Sequence, residues 1–91
     1  MNLEWLFEVI EDRKHNPTEN SYTASLFSQG LPKIAQKVGE EGTEVIVAAL
    51  AQNDQRLIEE VADLTYHVLV LLSARGLTPA QILAELENRH K

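Results

Sequence analysis

The sequence contains no cysteine, and proline and glycine are scarce, with three and four residues respectively. The absence of cysteine excludes disulfides, thiolate metal ligands and a cysteine nucleophile. Histidine offers little more, because His15 and His90 are too scattered along the chain for a zinc site. Any bound metal is therefore expected to have oxygen or imidazole ligands.

Positive charge and long apolar runs are also in short supply. Eight Lys and Arg against fourteen Asp and Glu give a formal net charge of −6, which argues against nucleic acid and anionic membranes as partners. The longest purely apolar run, residues 45–51, is far shorter than the roughly 20 residues that span a bilayer. The first ten residues carry Glu4 and Glu8 but no basic residue, unlike a secretory signal. We therefore expect a cytoplasmic protein.

What the sequence does contain is helical periodicity. A chain of 91 residues, 44% of them hydrophobic, has material for one core, so we predict a single domain over residues 1–91. Apolar residues recur at helical spacing in four segments, and no strand pattern competes. The predicted helices run from Leu3 to about Lys14, from Pro32 to about Gln52, from the Asn53-Asp54 turn to about Arg75, and from Pro79 onward. A short apolar piece over 24–28 precedes the break at Gly30-Leu31-Pro32.

The predicted fold class is therefore all-α, with a helical hairpin of two long helices and shorter flanking helices. Ile46, Leu50, Leu69 and Val70 lie outside the main inward stripes of the long helices, so one partner helix would leave them bare. We therefore predict a homodimer that assembles as a helical bundle. The aromatic residues expected in the core or the dimer contact are Trp5, Phe7 and Phe27.

Carboxylates are concentrated on the two long helices. Glu40, Glu41 and Glu44 are neighbours on the first, and Glu60 and Asp63 are neighbours on the second. In a hairpin, all of these except Glu40 can face one another across the groove between the helices. Carboxylates packed in this way repel each other unless a cation lies among them, and Mg²⁺ prefers such ligands and binds phosphates. The alternative is an ordinary solvated acidic face.

The acidic positions also carry a family resemblance. The run Glu40-Glu41-Gly42-Thr43-Glu44, followed by Glu60-Val61-Ala62-Asp63, resembles the E-E-x-x-E and E-x-x-D signature of the all-α nucleoside triphosphate pyrophosphatases. Over essentially the whole chain, the sequence is similar to the phosphoribosyl-ATP pyrophosphatase family of histidine biosynthesis. The segments that carry this similarity are Ser21-Tyr22-Thr23-Ala24, Lys37-Val38-Gly39-Glu40-Glu41, Asp63-Leu64-Thr65-Tyr66-His67 and Arg89-His90.

The resemblance implies an enzyme. Its reaction would be Mg²⁺-dependent hydrolysis of N1-(5-phosphoribosyl)-ATP to N1-(5-phosphoribosyl)-AMP and pyrophosphate, by cleavage between the α and β phosphorus atoms. The expected metal ligands, which are also expected to be catalytic, are Glu41, Glu44, Glu60 and Asp63. Glu40 is a further catalytic candidate that could join them, bind a second ion or orient the attacking water. Family members are often fused to a cyclohydrolase that performs the next step. For this protein, the resemblance implies a separate cyclohydrolase as a possible partner.

Three basic residues are candidate phosphate contacts. Lys33 and Lys37 continue the stripe of Glu40 and Glu44 on the long helix, so they could place positive charge beside the metal. The alternative for Lys37 is an ordinary helix ion pair. Arg13, at the end of the first helix, could clamp a phosphate with its planar guanidinium or lie free on the surface.

The polar loop before the second helix supplies further candidates. Ser21, Tyr22 and Thr23 offer hydroxyls and backbone donors to a ribose phosphate or to the base, a role that the resemblance favours. Ser21 or Thr23 could instead simply cap a helix. His67 lies one turn beyond Asp63 and could either support the site or pack in the core.

Two other functions remain open from the sequence. One is a housekeeping nucleoside triphosphate pyrophosphatase of the same fold, because the acidic motif is shared. The other is a helical dimerisation module without catalysis, in which the acids are solvated and bind no metal.

Overall fold

The computed structural model describes residues 1–90, which form five helices and no strand. The all-α prediction is confirmed, and the two long helices, with 21 residues each, are antiparallel neighbours in a hairpin. Within the described part of the chain, no helix has the length and apolar character to cross a membrane. The helices are α1 (Leu3–His15), α2 (Tyr22–Gln29), α3 (Leu31–Ala51), α4 (Asp54–Ala74) and α5 (Pro79–Arg89).

Side-chain caps fix where α4 and α5 begin. Asn53 is the N-cap of α4, and its side-chain oxygen accepts a hydrogen bond from the Arg56 backbone N–H at 2.9 Å. Thr78 and Gln81 form a reciprocal capping box at the start of α5. The hairpin turn is short, so the capping of α4 sets the register of the two long helices.

Two glycines with positive φ provide the other reversals. Gly30, with φ +92°, separates α2 from α3. Gly76, with φ +70°, follows α4, and the Leu77 N–H donates to the Leu72 carbonyl at 2.8 Å. This bond is that of a Schellman motif, so α4 ends where the sequence predicts.

The core lies where α1 and α2 pack against one end of the α3–α4 hairpin. Leu69 and Val70 are 4% and 0% exposed, so the prediction that they would lie bare is wrong. The physical reason is that α1 and α2 cover a second face of α4. Trp5 is half exposed and does not join this core, whereas Phe27 packs against it. The buried cluster consists of Phe7, Ile10, Leu26, Ile34, Leu69, Val70 and Leu72.

Elsewhere the chain leaves apolar side chains uncovered. Ile46 and Leu50 of α3 are 59% and 84% exposed, as predicted, and Val61 of α4 is 43% exposed. Helix α5 buries none of its residues. A groove of 410 Å³ runs between α1, α4 and α5, and we call it the α5 groove. Its apolar walls include Leu3, Leu64, Val68, Ile82, Leu83 and Leu86.

Candidate active site

Three carboxylates from the two long helices converge in the middle of the hairpin. Glu41 of α3 and Glu60 and Asp63 of α4 each offer an oxygen, and these oxygens lie within 4.8 Å of one another. We call this set the acid cluster. Glu41 and Glu60 are each 5% exposed, while Asp63 is open to solvent. One small ion could therefore contact all three residues and remain accessible to a ligand.

Each buried glutamate of the acid cluster has one satisfied oxygen and one free oxygen. Lys37 Nζ lies 3.2 Å from Glu41 Oε1, and Arg56 Nη2 lies 2.5 Å from Glu60 Oε1. Within residues 1–90, Glu41 Oε2 and Glu60 Oε2 are buried without a hydrogen-bond partner. Leaving charged oxygens buried and unpaired is costly. A hard divalent cation would satisfy both, so the donor set fits such an ion.

Glu44 adjoins the acid cluster from its solvent side. The pKa of Glu44 is raised to about 7, first by the hydrogen bond that its protonated form makes with the Glu60 carboxyl and then by interaction with Glu41. Once Glu44 is ionised no proton is shared, and the second oxygens of Glu41 and Glu60 are left without a partner among the described residues. A shared proton or a cation relieves the repulsion between such carboxylates. The predicted ligand set is therefore arranged as three converging acids with Glu44 at their edge.

The structure does not bring Glu40 into the acid cluster. Its exposed carboxylate accepts a hydrogen bond from Gln36 Nε2 at 2.7 Å and lies 3.3 Å from Lys37 Nζ. These contacts lower the pKa of Glu40, with Gln36 the larger cause. Lys37 thus bridges Glu40 and Glu41, which is the helix ion pair considered from the sequence, and it also places positive charge beside the cluster.

The start of α2 uses two of its three hydroxyls for structure. Ser21 is the N-cap, and its Oγ accepts a hydrogen bond from the Ala24 N–H at 3.1 Å. Thr23 is buried, and its hydroxyl is hydrogen-bonded to that of Tyr66. These two hydroxyls fix α2 in place, so the backbone and Tyr22 are the more available groups of this segment.

Tyr22 connects α2 to the acid cluster. Its hydroxyl lies 2.7 Å from His67 Nε2, and His67 Nδ1 lies 2.7 Å from the backbone carbonyl oxygen of Asp63. Burial is the main cause that raises the pKa of Tyr22; Lys37 opposes this effect, and Glu41 and Asp63 reinforce it. The half-exposed ring therefore lies beside the charged groups of the site.

The remaining predicted phosphate contacts lie apart from the acid cluster. Arg13 Nη1 contacts Asp12 Oδ2 at 2.9 Å at the end of α1. Lys33 is partly buried in the first turn of α3, and its charge helps to lower the pKa of Glu40. The structure therefore places Lys37 at the cluster, and within residues 1–90 neither Arg13 nor Lys33 contacts its three acids.

Arg56 is a site residue that the sequence analysis missed. It precedes Glu60 by four residues, as Lys37 precedes Glu41, so each buried acid has a basic neighbour one turn earlier. This repeated spacing is the signal that could have found it. Arg56 also lines a polar cavity of 260 Å³ with Glu44, Val47, Gln52 and Glu60.

Fold and site together define an all-α protein whose helical hairpin carries a cluster of carboxylates that could hold a cation. Sequence comparison then gives the family. The profile of the phosphoribosyl-ATP pyrophosphohydrolase family (PRA-PH) matches residues 3–90, and the chain belongs to this family. The resemblance drawn from the motifs is thereby confirmed.

Three relatives, each called phosphoribosyl-ATP pyrophosphatase, illustrate the similarity. The protein of Lacticaseibacillus casei is 57% identical over 84 residues, which cover 92% of this chain and 76% of the relative. That of Pyrobaculum calidifontis is 53% identical over 98% of this chain and 95% of its own length. That of Saccharolobus solfataricus is 51% identical over 94% of this chain and 92% of its own length.

Proposed function

We propose that this chain hydrolyses N1-(5-phosphoribosyl)-ATP to N1-(5-phosphoribosyl)-AMP and pyrophosphate, an early step of histidine biosynthesis. Membership of the family and the names of the relatives support this substrate. The observation that carries the proposal in the structure is the pair of buried, unpartnered oxygens on Glu41 and Glu60. A helical module with merely solvated acids would not bury them.

Mg²⁺ is the cation that we expect at the acid cluster. Glu41, Glu60 and Asp63 would hold it, with Glu44 as the fourth ligand from the edge. All four donors are hard carboxylate oxygens, which suit Mg²⁺. When bound, the ion neutralises charge on the phosphate oxygens and lowers the pKa of a coordinated water.

The chain's own basic residues complete the charge balance. Lys37 contacts one oxygen of Glu41, and Arg56 contacts one oxygen of Glu60. The remaining N–H donors of both basic residues can contact phosphate oxygens at the rim of the cluster. In the reaction, water adds across the bridge between the α and β phosphorus atoms, and the pyrophosphate leaves. Glu40 lies outside the cluster of three acids, so binding of a second ion and orientation of this water are the two roles that we keep for it.

The α2 segment and the outlying basic residues are proposed to bind the rest of the nucleotide. Ser21, Tyr22 and Thr23 form the N-terminus of α2, where backbone N–H groups favour an anion. Arg13 and Lys33 would contact the more distant phosphate. These roles rest on the resemblance and on position, because the observed hydrogen bonds of Ser21 and Thr23 are structural.

For assembly, we propose a cytoplasmic, single-domain protein that forms a homodimer. The exposed apolar residues of the α5 groove and of the hairpin, such as Leu83 and Leu50, support a second copy as the cover. A separate cyclohydrolase that acts on the product stays a prediction from the family resemblance.

Pyrophosphate release tests the proposed function directly. The protein is incubated with N1-(5-phosphoribosyl)-ATP and with a panel of ordinary and non-standard nucleoside triphosphates, each with and without Mg²⁺. We expect release from phosphoribosyl-ATP that depends on Mg²⁺. Preference for the panel would favour the housekeeping pyrophosphatase instead, and release from no substrate would favour the non-catalytic module.

A further inference from the structure

Two hydrogen bonds in series connect α2 to α4 and end at the backbone of Asp63, a residue of the acid cluster. They run from the Tyr22 hydroxyl to His67 Nε2, and from His67 Nδ1 to the backbone carbonyl of Asp63, with 2.7 Å at each step. His67 is only 5% exposed, and the hydrolysis described above assigns it no role. Few protons take part in these two hydrogen bonds, so the atom that carries each proton can be deduced.

The deduction starts at the carbonyl oxygen of Asp63, which can only accept a hydrogen bond. His67 Nδ1 must therefore carry the hydrogen and donate it. In the neutral imidazole, Nε2 is then an acceptor. Since the Tyr22 hydroxyl has a single proton, it donates that proton to Nε2. The Tyr22 oxygen retains its lone pairs and has no proton left for a ligand.

This state of Tyr22 restricts what it can recognise. Tyr22 is 52% exposed as a residue and lies beside the acid cluster, so a nucleotide bound at the cluster would meet its side chain. Phosphate oxygens are acceptors, as the Tyr22 oxygen is, and two acceptors without a proton between them do not attract. A hydroxyl or amino group of the sugar or base, by contrast, supplies the missing hydrogen.

We propose that His67 is a positioning residue that accepts the hydrogen bond of the Tyr22 hydroxyl, so that Tyr22 recognises a hydrogen-bond donor of the nucleotide and not a phosphate. The proposal rests on the proposed function in so far as the ligand is a nucleotide. Under this proposal, the group of the nucleotide that contacts the Tyr22 hydroxyl belongs to the ribose or the base and not to a phosphate.

The first test is the protonation pattern of His67, which needs no substrate. Nitrogen-15 NMR of the imidazole rings at mildly alkaline pH, with Tyr22→Phe used for assignment, is expected to show hydrogen on Nδ1 and none on Nε2. The exposed His15 and His90 serve as internal references. Hydrogen on Nε2 would overturn the proposal, because Tyr22 would then be free to donate to a ligand.

The second test separates nucleotide binding from phosphate binding. Tyr22→Phe removes one neutral hydrogen bond, so we expect KM for phosphoribosyl-ATP to rise about fivefold while kcat changes little. Inhibition by pyrophosphate, the phosphate probe, is expected to stay unchanged. Tyr66→Phe, which removes the neighbouring hydroxyl, is the control for loss of packing. Weaker inhibition by pyrophosphate in Tyr22→Phe would overturn the proposal.

His67→Leu tests whether His67 acts through Tyr22. It should raise KM to a similar extent, and the double variant should be no worse than Tyr22→Phe alone; additive effects would contradict the positioning role. If His67→Leu does not fold, the NMR pattern and Tyr22→Phe still decide. If the wild type releases no pyrophosphate from phosphoribosyl-ATP, the proposed function fails, whereas the NMR result still tests the proton assignment.

Discussion

The acid cluster and the α5 groove are both incomplete in the single chain, but for opposite reasons. The acid cluster buries charge, and Glu41 and Glu60 each retain an oxygen without a partner. The α5 groove exposes apolar surface, with Leu83 and Leu86 about half exposed. A small cation would complete the first, and an apolar surface would complete the second. The type of unmet interaction thus indicates the type of partner.

The two regions also differ in what stabilises their helices. Around the acid cluster, α3 and α4 are held together by their mutual packing, so the acids are brought close whether or not a cation is present. Helix α5 forms through its own capping box and apolar spacing, yet it buries none of its residues. A short helix with so little burial is marginal by itself in water. We therefore expect α5 to depend on a partner more than α3 and α4 depend on the ion.

The largest expected effect is on catalysis at the acid cluster. Glu60→Gln keeps the shape of the side chain but removes the charge that a cation needs, so pyrophosphate release from phosphoribosyl-ATP should fall by about 10²–10³-fold. Mg²⁺ at 100 times its Kd should stabilise the wild type by about 2.7 kcal/mol and the variant much less. Enzyme assays and thermal unfolding with and without Mg²⁺ measure both effects.

Glu59→Gln is the matched control for this variant. Glu59 directly precedes Glu60 and also contacts Arg56, but its side chain is 44% exposed and lies outside the acid cluster. It should retain both activity and stabilisation by Mg²⁺. Equal losses in the two variants would show that Arg56 pairing, and not a cation site, is what matters.

The geometry of the acid cluster could be predicted from the sequence because few choices were open. Helical spacing places Glu60 and Asp63 on one face, and a short turn between α3 and α4 sets which level of α3 faces them. Glu41 therefore had to come close. What these residues bind and catalyse stays a prediction, because geometry alone does not fix chemistry.

Other contacts could not be predicted, because they depend on how separate elements pack. The Tyr22–His67 hydrogen bond joins residues 45 positions apart on α2 and α4, and no periodicity relates these helices. The exposure expected of Leu69 and Val70 was wrong for the same reason, since α1 and α2 cover them. Arg56 was different, because its spacing from Glu60 was visible in the sequence.

The second prediction concerns self-association through the α5 groove. Leu83→Glu places a charge in the apolar groove, where the dimer would have to bury it. Loss of leucine burial and the cost of the charge should raise the dimer Kd about 10²-fold or more. Analytical ultracentrifugation over a range of protein concentrations measures this change.

Ala84→Glu is the control for the groove, because it adds the same charge to the same helix outside the groove lining. It should leave the dimer intact, and both variants should keep the helical circular dichroism of the wild type. If the wild type is a monomer, or if Leu83→Glu dimerises as well as Ala84→Glu, the apolar surface of the α5 groove is not the contact.

The smallest expected effect is a pH dependence at the edge of the acid cluster. The pKa of Glu44 is raised from 4.5 to about 7, so the metal-free folded chain holds this proton more tightly than the unfolded chain does. Its stabilising contribution is complete below pH 4.5 and is lost as pH rises to about 7. The side chain is exposed, so solvent keeps the change small. Glu44→Gln should therefore lose less stability than the wild type across this interval, as thermal unfolding without metal would show.

Glu85→Gln, which changes an exposed acid on α5, is the control and should behave like the wild type. Mg²⁺ should flatten the wild-type curve, because a cation favours the ionised carboxylate. If Mg²⁺ leaves the slope unchanged, Glu44 does not contact the ion, and the cation site is limited to the three converging acids.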